Sequence, residues 1–397
     1  MALGHSPRIV MDGLVLCLDG ANYKSFKGEA TTNYYSTPIT LTSGRTGSTD
    51  GSIKTSFNTG GPTGGPFTRV VRDTSVSRTT DWEWQIDYSG TGLSNGNSFV
   101  VSFYARCPNG TLSSVKLSNP DVEGQTFNID STWRRFTASF TYGSQGGLTF
   151  FRVNRGHTPF YTNGATYDIA NLQVEAKSYS TSFVDGTRGT TVATGGGWKD
   201  LIGSTDGTIV NGVRESSNNG GCLTLDGTND YVSFSYPSIN VNGPYTIIQW
   251  IRPSSALVAG GSGANKPTGA NRKTSLVGPG PVWNPGIWMT SDYLRVHAKT
   301  QYRDAAINWT TTTWNMIGMT YDGTNTGIIY GGEFMSIAYT TAYSVSNPTT
   351  LYVGAENSTG NSTNWLGDVG MTMFYNKVLT AAEVKQNFDA HKGRYGL

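Results

Sequence analysis

The sequence predicts an all-β protein of the sandwich type, ending in one short helix. Three observations predict it. Charged residues are only 14% of the 397 positions, whereas aromatics reach 12% and glycines number 51, which suits many strands joined by many turns. Short apolar or alternating segments recur between Gly, Asn, Asp and Ser clusters. The stretch Gly221–Phe234, GCLTLDGTNDYVSF, shows this grammar at its densest and reads as a hairpin: Leu223 and Leu225, then turn residues Asp226–Gly227 and Asn229–Asp230, then a β-prone run from Tyr231.

Taken in order, residues 1–11 read as a loosely held arm. Asp12–Ala21 is the first strand; Leu14, Leu16 and Leu18 alternate with Val15 and Cys17, so both faces are apolar, as a central strand requires. Further strands are read at Ser98–Arg106, Trp133–Tyr142, Leu148–Val153 and Tyr167–Glu175, and Gly186–Gly197 reads as a linker. Beyond it come Trp198–Ile202, Gly207–Gly212, Pro244–Arg252, a long loop Pro253–Arg272, Leu294–Lys299, Trp314–Tyr321, Gly327–Tyr330, Leu351–Ala355 and Gly367–Tyr375. The helix follows, with Thr380 as N-cap and Glu383 three residues later.

Four pieces in a fixed order, Gly13–Asn22, Trp198–Gly212, Leu223–Val232 and Gly367–Phe388, together resemble the concanavalin A-like, laminin-G-like jelly roll found in many virion proteins of tailed phages. In those proteins the first strand runs almost directly into the segment that begins here at Trp198. The intervening residues therefore read as an insertion, which domains tolerate when the guest's ends lie close together. Residues 95–185 of that stretch resemble the jelly roll of carbohydrate-binding modules, whereas residues 29–95, with Gly60–Pro66, match it loosely. The expected division is a discontinuous host sandwich, 1–28 and 190–397, and an inserted jelly roll, 29–189.

A net charge of +2 and no dense Lys/Arg stripe argue against a nucleic-acid partner. The longest apolar runs, Tyr245–Ile251 and Gly327–Gly331, fall far short of a membrane span, and no secretory leader is read. Three cysteines, Cys17, Cys107 and Cys222, are too few and scattered for a disulfide framework or zinc site, and Cys17 and Cys222 read as buried free thiols.

Three chemistries deserve a search. Glycoside hydrolysis needs two carboxyls about 5 Å apart for retention. Glu83 and Asp87 share a strand face, but at about 3.3 Å per residue they stand more than a dozen ångströms apart. The four histidines, His5, His157, His297 and His391, do not cluster, so no catalytic residues are expected. The resemblance brings in a structural calcium, for which Asp226 and Asp230 are the candidate ligands; turn geometry is the competing and commoner use of both, and no cofactor is expected. Sugar binding needs aromatic faces with polar neighbours. The candidates are Trp82, Trp84 and Tyr88 in the insert, and Trp283, Trp288, Tyr293 and Tyr302 in the host.

The resemblance implies a non-enzymatic virion surface protein, made in a host cytoplasm: a capsid decoration, head fibre or adhesion protein. It would dock on another particle protein, bind host-surface polysaccharide, and leave a homo-oligomer open. A tail-associated receptor-binding or baseplate component and a polysaccharide-degrading enzyme are the alternatives.

Overall fold

The computed structural model describes residues 8–34, 53–62, 64–72, 83–87, 96–119, 122–141, 148–152, 166–211, 213–216, 220–254, 273–277, 285–289, 293–299, 301–307, 312–339, 346–355 and 364–397. The chain divides into two compact units: a host unit, Met1–Ala30 with Gly189–Leu397, and an inserted unit, Thr31–Arg188. The ends of the insert pair with each other, Thr31 with Arg188 and Thr32 with Thr187, so the guest leaves and returns to the host chain at adjacent points.

The host unit is a sandwich of two antiparallel sheets. One runs in the order Arg214–Ser216, Cys222–Asp226, Leu366–Tyr375, Tyr245–Pro253, Asn315–Tyr321, Asn325–Tyr330, Glu333–Tyr339, with Leu14–Asp19 also paired to Leu366–Tyr375. The other runs Thr208–Val210, Tyr231–Ser235, Thr350–Val353, Lys273–Val277, Gly286–Met289, Tyr293–Ala298, Gln301–Ala306. Leu16, Leu18, Leu223, Leu225, Val232, Phe234, Ile247, Ile317, Val353, Val369 and Phe374 fill the space between them. Phe234 meets Phe374 edge to face, centroids 6.1 Å apart.

Two expectations need correction. Gly221–Phe234 is not a hairpin. Cys222–Asp226 pairs with Leu366–Tyr375 in one sheet, while Tyr231–Ser235 pairs with Thr350–Val353 in the other. The turn carries the chain across the sandwich, which lets Leu225 and Val232 both point into one core. Trp198–Ile202, where the host unit resumes, lies outside the named strands. Trp198 makes only bridges to Phe26 and Gly207, and the segment seals the free edge of Leu14–Asp19: the Leu201 N–H donates to the Cys17 carbonyl at 3.0 Å. Asp200, buried, accepts there from the backbone N–H groups of Cys17, Ile202 and Gly203, each at 3.0 Å. Nor are residues 8–11 a loose arm. The buried Asn387 amide accepts from the Val10 N–H at 2.8 Å and donates to the Tyr375 hydroxyl at 3.0 Å, and that hydroxyl donates to the Val10 carbonyl at 3.1 Å.

The helix Ala381–His391 covers the outer face of the first sheet. Thr380 caps it reciprocally with Glu383: each side chain accepts from the other's backbone N–H, at 3.3 and 2.8 Å. Beneath lies a second core, Cys17, Cys222, Ile248, Trp250, Trp314, Met316, Met371, Met373, Leu379 and Val384. Trp250 is its pivot, stacked on Tyr395 at 4.4 Å and on Phe388 at 5.6 Å.

The inserted unit is a second sandwich. Its larger sheet runs Ile53–Thr59, Pro66–Arg72, Thr166–Glu175, Ser98–Arg106, Arg134–Thr141, and its smaller one Glu83–Asp87, Leu148–Arg152, Leu112–Asn119, Val122–Ile129. Val70, Phe99, Phe103, Phe140, Ile169 and Val174 form its core. Ile53–Thr59 and Pro66–Arg72 pair as a hairpin, and between them Gly60 and Gly64 stand at φ 86° and 76°, where a side chain would be strained.

Trp250→Ala is expected to cost about 3–5 kcal/mol, read as a lower urea midpoint. Lys377 and the Thr380 backbone N–H hold the Glu383 carboxyl below its ordinary 4.5, so the stability it contributes is complete above that pH and is lost as pH falls through the lowered folded value. Midpoints of E383Q and the parent, separate at pH 7, should therefore converge in acid. All three cysteines are buried and free, and burial pushes the thiols of Cys17 and Cys222 up to about 12. Ellman's reagent should find no thiol in the native chain and three in urea.

Candidate functional site

Strand alternation on the second host sheet sends Ile287, Met289, Leu294, Val296 and Ala298 into the core, so Trp288, Tyr293, Arg295 and His297 stand on the opposite face. Register then sets neighbours: Trp288 pairs with Arg295, Arg295 with Asp304, and His297 with Tyr302. The result is a compact row of aromatic and charged groups across three strands.

Arg295 grips Asp304 with two parallel bonds, Nε–Oδ1 at 2.7 Å and Nη2–Oδ2 at 2.8 Å. The guanidinium carbon sits 3.8 Å from the Tyr302 ring centroid and 5.1 Å from that of Tyr293. Burial alone would lower the Arg295 pKa; the bonds to Asp304 and its charge turn the net shift upward, so the cation is secure. His297 stacks on Tyr302 at 5.4 Å and meets the Trp288 ring at a tilt, centroids 4.2 Å apart. Tyr302 is 49% exposed, while Trp288 is 2% exposed. An exposed phenol backed by a neutralised ion pair can take the C–H face of a sugar, with carboxylate and guanidinium edges for its hydroxyls.

The structure thus brings Trp288, Tyr293 and Tyr302 together, and it corrects the role read for Trp288. Facing outward is not the same as being exposed: its indole lies under His297 and supports the row without reaching a ligand. Trp82, Tyr88 and Trp283 lie outside the described residues. Trp84 lies in the strand Glu83–Asp87, paired with Phe151. Asp226 and Asp230 serve the turn: Asp226 accepts from the Thr228 N–H at 2.7 Å, and Asp230 from the Asp226 N–H at 3.1 Å. Among the described residues, no group of three or more His, Cys, Asp or Glu is placed to hold a metal ion.

Arg295, His297 and Asp304 were not singled out as site residues from the sequence. Their signal was register. Ala298 stands opposite Gln301, and counting outward from that pair puts Arg295 opposite Asp304.

Residues 226–385 match the family model of the concanavalin A-like lectin/glucanases superfamily. No curated protein sequence matches the chain. Among solved structures, similarity extends to a mutant Trypanosoma rangeli sialidase displaying trans-sialidase activity, 14% identical over 52% of this chain and 32% of that one, with a TM-score of 0.40. Domain 4 of an extracellular arabinanase from Geobacillus stearothermophilus, in complex with arabinotriose, is 15% identical over 49% of this chain and 92% of that one, TM-score 0.37. The receptor binding domain of botulinum neurotoxin D is 11% identical over 48% and 49%, TM-score 0.40. The match thus spans about a third of the sialidase and about half of the neurotoxin domain. The family match over residues 226–385 and the two facing sheets of the host unit together describe a concanavalin A-like, laminin-G-like jelly-roll fold.

Proposed function

We propose that this chain is a non-enzymatic binding protein of a virus particle surface, and that its Tyr302 face binds polysaccharide. The observation that carries the binding role is the half-exposed Tyr302 ring, fixed from behind by the Arg295–Asp304 pair. A rigid aromatic platform needs little ordering on binding, so stacking is not spent on freezing a loose side chain. The same geometry argues against hydrolysis. An acid–base mechanism needs two carboxyl groups, and the row built on these three strands holds one, Asp304, which is committed to Arg295.

The particle assignment rests on the ordered resemblance of Gly13–Asn22, Trp198–Gly212, Leu223–Val232 and Gly367–Phe388 to phage virion jelly rolls. On this reading the chain is made in the host cytoplasm, docks on a capsid or tail protein, and displays the Tyr302 face outward. Labelled antibody should mark the particle surface, and labelling confined to soluble lysate would end the virion reading.

On a neutral-glycan array followed by calorimetry, Tyr302→Ala is expected to weaken the best ligand tenfold or more, about 1.4 kcal/mol or above. Y302F should bind nearly as the parent does. Equal binding by parent and Y302A would reject the face.

A further inference from the structure

The larger sheet of the inserted unit carries a second row of different charge. Asp168, fully buried on the central strand Thr166–Glu175, pairs across one edge with Arg69 and across the other with Arg106. Arg69 donates through Nε and Nη2 to the two carboxylate oxygens at 2.7 and 2.9 Å, and Arg106 through Nε at 2.8 Å. Two guanidinium groups thus share one carboxylate, and a full positive charge is left over.

That charge is fixed in place. The Arg106 guanidinium carbon lies 4.8 Å from the Trp133 ring centroid and 5.5 Å from that of Phe67, and the two rings meet edge to face at 5.6 Å. Among the described residues, the terminal nitrogens of Arg106 make no hydrogen bond. The Arg69 and Arg106 side chains remain 35% and 28% exposed above the buried carboxylate. One arginine would have neutralised Asp168, so the fold does not need the second for charge balance. On the same face of the neighbouring strand, Ser56 pairs with Arg69 and Asn58 with Phe67, so a hydroxyl and an amide, bonded to each other at 3.1 Å, stand beside Arg69.

We infer that this row is an anion-reading saccharide subsite, in which Arg106 takes the carboxylate of an acidic sugar. The planar fork of a guanidinium matches a carboxylate bidentately, Trp133 offers ring surface to the sugar, and Ser56 and Asn58, beyond Arg69 on the same face, are donors and acceptors for hydroxyls of an adjoining ring. The site is chemically distinct from the Tyr302 row, where arginine and aspartate stand one to one.

Calorimetry on the full chain tests it with trigalacturonate, triglucuronate and their methyl esters, which keep the ring and lose the charge. At least one acid is expected to bind tenfold or more tighter than its ester, with affinity falling as salt rises. R106Q, which leaves the Arg69–Asp168 pair intact, should lose tenfold or more toward that acid at an unchanged melting temperature. R106K, which keeps the charge without the fork, should lose affinity too, and it stands in if R106Q does not fold. Y302A should leave acid binding unchanged, which separates this site from the neutral-glycan face. Binding of neither acid, equal binding of acid and ester, parent-like affinity in the arginine variants, or equal binding of a hexaglutamate peptide would each overturn the assignment.

Discussion

Leu366–Tyr375 is the seam on which the host unit closes, because it is hydrogen-bonded along both edges to strands from three distant parts of the chain. Tyr245–Pro253 takes one edge, and Leu14–Asp19 and Cys222–Asp226 share the other end to end. Both of its faces are buried as well, Val369 and Phe374 in the inter-sheet core, Met371, Met373 and Tyr375 beneath the helix. Val369 and Met371 should share a face in a regular strand. They do not, because a register shift beside Gly370 switches the phase. A Cβ at Gly370 would collide with Tyr395, so the bulge and the C-terminal cover are one device.

This seam explains how a long insertion is accommodated. The first strand must find the last, across almost the whole sequence, before either is stable. Loop-closure entropy rises only logarithmically with length, so extra residues within that loop add a modest cost. A guest that folds and pairs its own ends, Thr31–Thr32 with Thr187–Arg188, turns most of the added chain into a short effective connection.

The fold was legible where local pattern and long-range partner agree. The apolar periodicity of Leu14–Asp19, Ser98–Arg106 and Tyr245–Pro253, and the Thr380–Glu383 cap, each have one reading. Gly221–Phe234 has two. Turn chemistry at Asp226–Asp230 serves a hairpin and a crossing between sheets equally, and the deciding partners, Val369 for Leu223 and Val353 for Val232, lie more than a hundred residues away. Leu112–Asn119 and Val122–Ile129 escaped notice because Ser, Asn, Lys and Gln dilute their alternation, although they pair firmly with each other. The candidate site divides the same way. Its aromatics are visible as residue types, but Trp288 and Tyr302 look alike in sequence and differ in the structure by what covers them. The charged partners become visible only when a strand register is known, since Arg69 and Asp168 are 99 positions apart.

Both rows sit on strands, and that has a physical consequence for recognition. A side chain on a paired strand has its backbone fixed by ladder bonds, on one side among the described strands for Tyr302, whose strand ends its sheet, and its rotamer narrowed by cross-strand neighbours. Tyr302 is held by Arg295 and His297, Arg106 by Asp168, Phe67 and Trp133. Ordering costs are therefore met when the sheet folds, not when a ligand arrives, which suits the sugar recognition proposed for both rows. The two rows differ in charge balance: a carboxylate facing one guanidinium leaves a neutral pair, and a carboxylate between two leaves a cation. Sheets of similar construction can thus present opposite preferences through the placement of a single arginine.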